Sequence, residues 1–123
     1  MSDANLYKEE LMELYRNPVN RGVLSSPTVS VTKNNPMCGD EVTLQLKIAD
    51  GKIKSAKFDG AACAVSVISS EVLTEAIAGM EIEKAKKITK EELLEKIGLN
   101  LTTSRVKCAT LALTALQNAL EGI

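Results

Sequence analysis

The sequence predicts an α+β fold in which a small antiparallel three-stranded sheet carries helices on one face. Three observations predict it. Residues 42–48 alternate apolar Val42, Leu44, Leu46 and Ile48 with polar Thr43, Gln45 and Lys47, the period-two pattern of a half-buried strand. Asp50-Gly51 follows, a pair suited to a tight primed turn whose two central residues both need positive φ. After Gly60 the apolar period lengthens to helical spacing, and strands first with helices afterwards argue against a doubly wound parallel sheet.

The elements follow in order. Tyr7, Leu11 and Leu14, at spacings of four and three, predict a short amphipathic helix that ends before Asn17-Pro18. Residues 17–27, rich in Asn, Pro, Gly and Ser, predict a loop. Alternation over 28–32 predicts a strand antiparallel to 42–48, and the turn at Asp50-Gly51 leads into a third strand over 52–58. Val65, Ile68 and Val72 mark one face of a helix ending near Gly79. Shorter helical stretches are expected over 82–88 and 91–97, the second closed by Gly98. From Ser104, read as an N-cap, Val106, Ala109, Leu113, Leu116 and Leu120 predict one long terminal helix.

At 123 residues the chain is expected to be a single domain, 1–123, large enough to bury roughly two thirds of its unfolded surface. Phe58, Tyr7 and Tyr15 are its only aromatic residues, too few for a base-stacking platform. Fifteen Lys and Arg stand against sixteen Asp and Glu with no basic run, so nucleic acid is not an expected partner. No signal-peptide pattern and no apolar run of spanning length occurs, which predicts a cytoplasmic protein without a membrane partner. Histidine is absent, which removes the commonest general base and the usual neutral metal ligand.

Chemistry is left to thiolates, carboxylates and amines. The three cysteines are an odd number for a disulfide framework and read as free thiols. Cys38 lies in a loop between strands, Cys63 where the central helix begins, and Cys108 in the first turns of the last helix. A helix N-terminus favours thiolate, and Cys108 also has Arg105 and Lys107 beside it. Thiolates are the ligands that zinc and iron-sulfur clusters prefer, and Asp40, two residues after Cys38, offers a carboxylate to complete a site. Each residue also has a plainer reading: Cys108 with Ala112, Ala115 and Ala119 as a small-residue packing stripe, Asp40 as a turn or capping residue, Lys107 as a solvated charge. Without a C-x-x-C pair the spacing is a weak metal signal, and the residue types reach a thiolate metal site and no further.

Four segments carry the reading on: Asn17-Pro18-Val19-Asn20-Arg21-Gly22; Cys38-Gly39-Asp40; Lys57-Phe58-Asp59-Gly60-Ala61-Ala62-Cys63 running into Ser69-Ser70; and Arg105-Val106-Lys107-Cys108. In this order, and over nearly the whole chain, they resemble the IscU/SufU family of iron-sulfur cluster assembly proteins, the module that also forms the N-terminal domain of NifU. The resemblance implies an α+β domain whose cysteines cluster at one end. There a cysteine desulfurase delivers sulfur, ferrous iron and electrons from a donor such as a ferredoxin are supplied, and the cluster passes to apo-protein acceptors. Carried over by position, Cys38, Cys63 and Cys108 are the ligands, Asp40 is the acidic neighbour, and Cys108 is the persulfide acceptor. The implied cargo is a 2Fe-2S cluster, or a 4Fe-4S cluster shared across a homodimer.

Two departures bear on the site. Lys107 stands where IscU proteins have histidine, as in SufU-type members, so the fourth ligand is Asp40, an external thiol or a group from a second subunit. Leu101-Thr102-Thr103-Ser104 replaces the proline-containing motif offered to a dedicated chaperone. The competing function is a SufU-like zinc-dependent sulfurtransferase, with Cys38, Asp40, Cys63 and Cys108 around zinc. The compact stretch between Cys63 and Cys108 favours the scaffold, because SufU proteins usually carry an extra segment there. A third class, an interaction domain with buried thiols and no metal, predicts a colourless protein inert to thiol reagents.

Overall fold

A computed structural model describes residues 3–36, 39–98, 101 and 103–123. In chain order they form α1 (Asp3–Arg16), β1 (Val29–Asn35), β2 (Asp40–Ala49), β3 (Lys52–Asp59), α2 (Ala64–Ile77), α3 (Ile82–Ala85), α4 (Lys90–Ile97), α5 (Thr103–Ala109) and α6 (Leu111–Leu120). The sheet is antiparallel in the order β1-β2-β3. Asp50 and Gly51 take φ of 54° and 72°, the positive pair a tight turn demands, so Ala49 pairs with Lys52.

Alternation decides which face is covered. Val42, Leu44 and Leu46 of β2 and Ile53, Ala56 and Phe58 of β3 are buried together with α2 and α6. α6 packs over β1 and β2, and α2 over β3. The other face stays polar and is crossed by the loop after α1: the Leu24 N–H donates to Gln45 Oε1 (2.7 Å) and Lys47 Nζ to the Ser26 carbonyl (2.9 Å). In α1, Leu11 is buried and Leu14 half-buried as the stripe requires; the Tyr7 side chain lies outside the described set. No described helix is long and apolar enough to cross a membrane.

Several elements differ from the sequence pattern. β1 continues to Asn35 because Lys33, Asn34 and Asn35 pair with Val42, Glu41 and Asp40, backbone bonding that polar side chains do not advertise. The helix expected over 82–88 stops at Ala85, since Thr89 turns extended and starts α4 with a reciprocal capping box to Glu92. The face marked by Val65, Ile68 and Val72 is too narrow for α2: Val67, Leu73 and Ile77 are buried with Ile68, and so is a polar row, Ser66, Ser69, Ser70, Glu71 and Thr74. α2 is therefore a central helix, enclosed by the sheet and by α1, α4, α5 and α6.

The terminal helix is two helices. It begins at Thr103, so Ser104 lies inside it instead of capping it, and it breaks at Thr110 (φ −101°, ψ 4°). The reason lies in α2. Ser69 donates to the Ala109 carbonyl, while Thr110 Oγ1 turns back onto the Val106 carbonyl (2.9 Å). Hydroxyl donors competing for helix carbonyls bend a helix where they act.

Candidate metal centre

The β1–β2 pair ends with Asn35 opposite Asp40, at the edge of the sheet beneath the start of α2. The chain reaches α2 through a tight passage. Gly60 sits at φ +127° with its α-carbon against β2, where an added Cβ would run into the Glu41 carbonyl. Beside it the Glu41 N–H donates to the Ala61 carbonyl (2.8 Å). Arg21 holds the bend from outside, Nη2 donating to the Gly60 carbonyl (2.6 Å) and Nε to Asp59 Oδ1 (3.3 Å). Arg21 in turn sits on a loop fixed at two points. The Phe58 N–H donates to the Asn20 carbonyl (3.0 Å), and the N–H groups of Val19 and Asn20 donate to the buried Glu71 carboxylate at 3.2 and 2.9 Å. The Asn17–Gly22 motif is thus a clamp on the segment that delivers Cys63.

Cys63 is the N-cap of α2, and its side chain makes no capping bond. The carboxylate of Asp40 serves that end: Oδ1 accepts the Cys63 N–H (2.9 Å) and Oδ2 the Ser66 hydroxyl (2.5 Å). An anion at a helix N-terminus meets unpaired N–H groups and the positive end of the backbone dipoles. Cys108 approaches from α5, its Sγ 3.9 Å from Asn35 Nδ2 and its carbonyl 2.9 Å from Ser66 Oγ. A carboxylate oxygen of Asp40 and the sulfurs of Cys63 and Cys108 all lie within 4.8 Å of one another. Asp40 and Cys108 are buried and Cys63 half-exposed, so solvent reaches the group past Cys63.

Two thiols and a carboxylate at this separation offer three donors to one tetrahedral cation such as zinc or iron. Of the residues read from the sequence, the structure brings together Asp40, Cys63 and Cys108. Cys38 lies outside the described residues. Lys107 has an exposed side chain. One expectation is corrected: Cys108 sits next to the last residue of α5, not in the first turns of a long helix, so of the two described cysteines Cys63 alone occupies a helix N-terminus. The stripe of Cys108, Ala112, Ala115 and Ala119 does face the core, so its packing role and its place at the site coexist.

Sequence reasoning passed over Ser66, Asn35 and Glu71. Ser66 had a signal: three residues beyond Cys63, it shares that cysteine's helix face. Glu71 had none, since its partners lie 51 and 52 residues away.

Comparison with known proteins gives a consistent answer. Residues 6–122 match the family model described as NifU-like N terminal domain. The zinc-dependent sulfurtransferase SufU of Bacillus subtilis is 35% identical, over 94% of this chain and 89% of its own length. The iron-sulfur cluster assembly scaffold protein IscU of Thermotoga maritima is 34% identical, over 96% and 94%. Among solved structures, a candidate iron-sulfur cluster assembly scaffold protein for the SUF system from Fervidobacterium islandicum AW-1 superposes with a TM-score of 0.76 at 25% identity, covering 97% of this chain and 99% of its own.

Proposed function

This chain belongs to the NifU-like N-terminal domain family, and from that premise we propose that it is a scaffold for iron-sulfur cluster assembly, acting as one domain in the cytoplasm. It receives ferrous iron and desulfurase-derived persulfide sulfur as substrates and passes the finished cluster to apo-proteins. The observation that carries the reading is the convergence of Asp40, Cys63 and Cys108 at the entrance to α2. Cys38, two residues from Asp40 in sequence, completes the three cysteine ligands of the proposal, Asp40 is the fourth ligand, and a 2Fe-2S cluster is the cargo.

The donor set suits temporary custody. Thiolates hold iron firmly, whereas a carboxylate is a harder and weaker partner for a cluster, so mixed ligation eases release. The resemblance assigns sulfur acceptance to Cys108, whose burial requires that α5 or the approach to it open when the desulfurase docks. A ferredoxin-like electron donor and a second copy of the chain complete the set of partners.

A second reading, zinc-dependent sulfur transfer, is favoured by the 35% identity to the Bacillus sulfurtransferase and by a donor set that also fits tetrahedral zinc. One experiment separates the two. Wild-type protein and Cys63→Ser are incubated anaerobically with ferrous iron, cysteine and a cysteine desulfurase, beside a zinc-loaded sample, and visible spectra are recorded. Sulfur-to-iron charge-transfer bands that weaken in Cys63→Ser are expected. A colourless protein that retains one tightly held zinc would transfer the assignment to sulfur relay.

A further inference from the structure

Ser66 belongs to none of the sequence motifs of the site, yet it touches all three segments that build it. It is 1% exposed, one turn into α2 from Cys63. Its Oγ lies 2.5 Å from Asp40 Oδ2 on β2, 2.9 Å from the Cys108 carbonyl on α5 and 3.9 Å from Cys63 Sγ. A hydroxyl carries one proton. Of its two acceptors the Asp40 oxygen at 2.5 Å is nearer than the Cys108 carbonyl at 2.9 Å, so the proton is directed to Asp40.

The geometry points to Ser66 as a positioning residue for metal capture, acting through Asp40; this rests on the metal-binding reading of the site. The Cys63 N–H fixes one carboxylate oxygen and the Ser66 hydroxyl the other, so the plane of the carboxylate is set before a metal arrives. A carboxylate offers about four lone-pair sites, more than these two donors use. Without the hydroxyl, Oδ2 loses this buried donor and the carboxylate is held less firmly in that plane. Partners that orient a metal ligand in this way typically contribute about 10–100-fold in metal affinity. Ser69 supplies an internal contrast: it is equally buried on the same helix and donates to the Ala109 carbonyl, a helix contact with no metal ligand in it.

The test measures zinc affinity of the full chain by competition with a chromophoric chelator, anaerobically and with thiols reduced. Wild type, Ser66→Ala, Ser69→Ala, Asp40→Ala and the Ser66→Ala/Asp40→Ala double variant are compared, with folding checked by urea denaturation. Alanine is close to serine in volume, so both serine variants should fold. The expected result is affinity lowered about tenfold or more by Ser66→Ala and left near wild type by Ser69→Ala, with Ser66→Ala adding less than about twofold once Asp40 is gone. Equal affinity of wild type and Ser66→Ala, or an equal loss in the presence and absence of Asp40, would overturn the inference alone. Failure of wild type to bind zinc would overturn the metal site with it.

Discussion

Replacing Gly60 by alanine should be among the most damaging small changes available to this fold. Two costs add. The backbone sits at φ +127°, a region almost confined to glycine, and holding another residue there costs about 1–3 kcal/mol. The new Cβ would also meet the Glu41 carbonyl, whose carbon is 3.0 Å away, with Val42 Cα at 3.3 Å; these are backbone atoms of a paired strand and cannot swing aside, and overpacking of this kind costs about 1–3 kcal/mol. The sum, about 2–6 kcal/mol, is a large share of the 5–15 kcal/mol typical of a domain. With a urea m-value of about 2 kcal/mol/M, the denaturation midpoint should fall by about 1–3 M. Gly51→Ala is the control. Gly51 has φ +72° but nothing within 4 Å of its added Cβ, so only the conformational cost of about 1 kcal/mol applies. Equal midpoint shifts in the two variants would refute the claim that the Asp59–Cys63 passage is packed against β2. Folded Gly60→Ala should in addition bind zinc more weakly, because the displaced passage carries the Cys63 N–H away from Asp40.

Two further outcomes follow from the same geometry. Glu71→Ala strips the Val19 and Asn20 N–H groups of their acceptor and should cost about 2–4 kcal/mol in urea denaturation, whereas Glu75→Ala loses only an exposed contact to Asn20 Nδ2 and should stay within about 0.5 kcal/mol of wild type. Timed alkylation of the metal-free protein with iodoacetamide, read peptide by peptide by mass spectrometry, should modify half-exposed Cys63 well before buried Cys108; equal rates would contradict the burial order.

The parts legible in the sequence are those governed by neighbours in the chain. The β2–β3 hairpin follows from local alternation and the Asp50-Gly51 pair, and α4 from Thr89, Glu92 and Gly98. What escaped depends on partners far away in sequence. The break at Thr110 reflects the Ser69 hydroxyl on α2 some 40 residues earlier, and the burial of Glu71 makes sense only once the loop at Val19 and Asn20 closes over it. An apolar-periodicity reading of α2 misses its buried polar row because Ser66, Ser69 and Glu71 are satisfied across interfaces and Thr74 by the helix's own Ser70 carbonyl, Ser70 Oγ alone excepted among the described residues. At the site, residue types suggested a metal while spacing was silent. The convergence of Asp40 with Cys63 and Cys108 is a product of tertiary packing, and Ser66, which ties it together, looks in the sequence like an ordinary helix serine.

The central claim is that this site builds a cluster in order to give it up. Its most direct test mixes anaerobically reconstituted protein with an apo-ferredoxin and follows the acceptor's visible circular dichroism, for wild type and for Asp40→Cys. The account predicts that wild type loads a cluster and transfers it, and that Asp40→Cys, with a thiolate in place of the carboxylate, loads one but releases it more slowly. A wild-type protein that loads no cluster, or that keeps its cluster in the presence of excess acceptor, would contradict it.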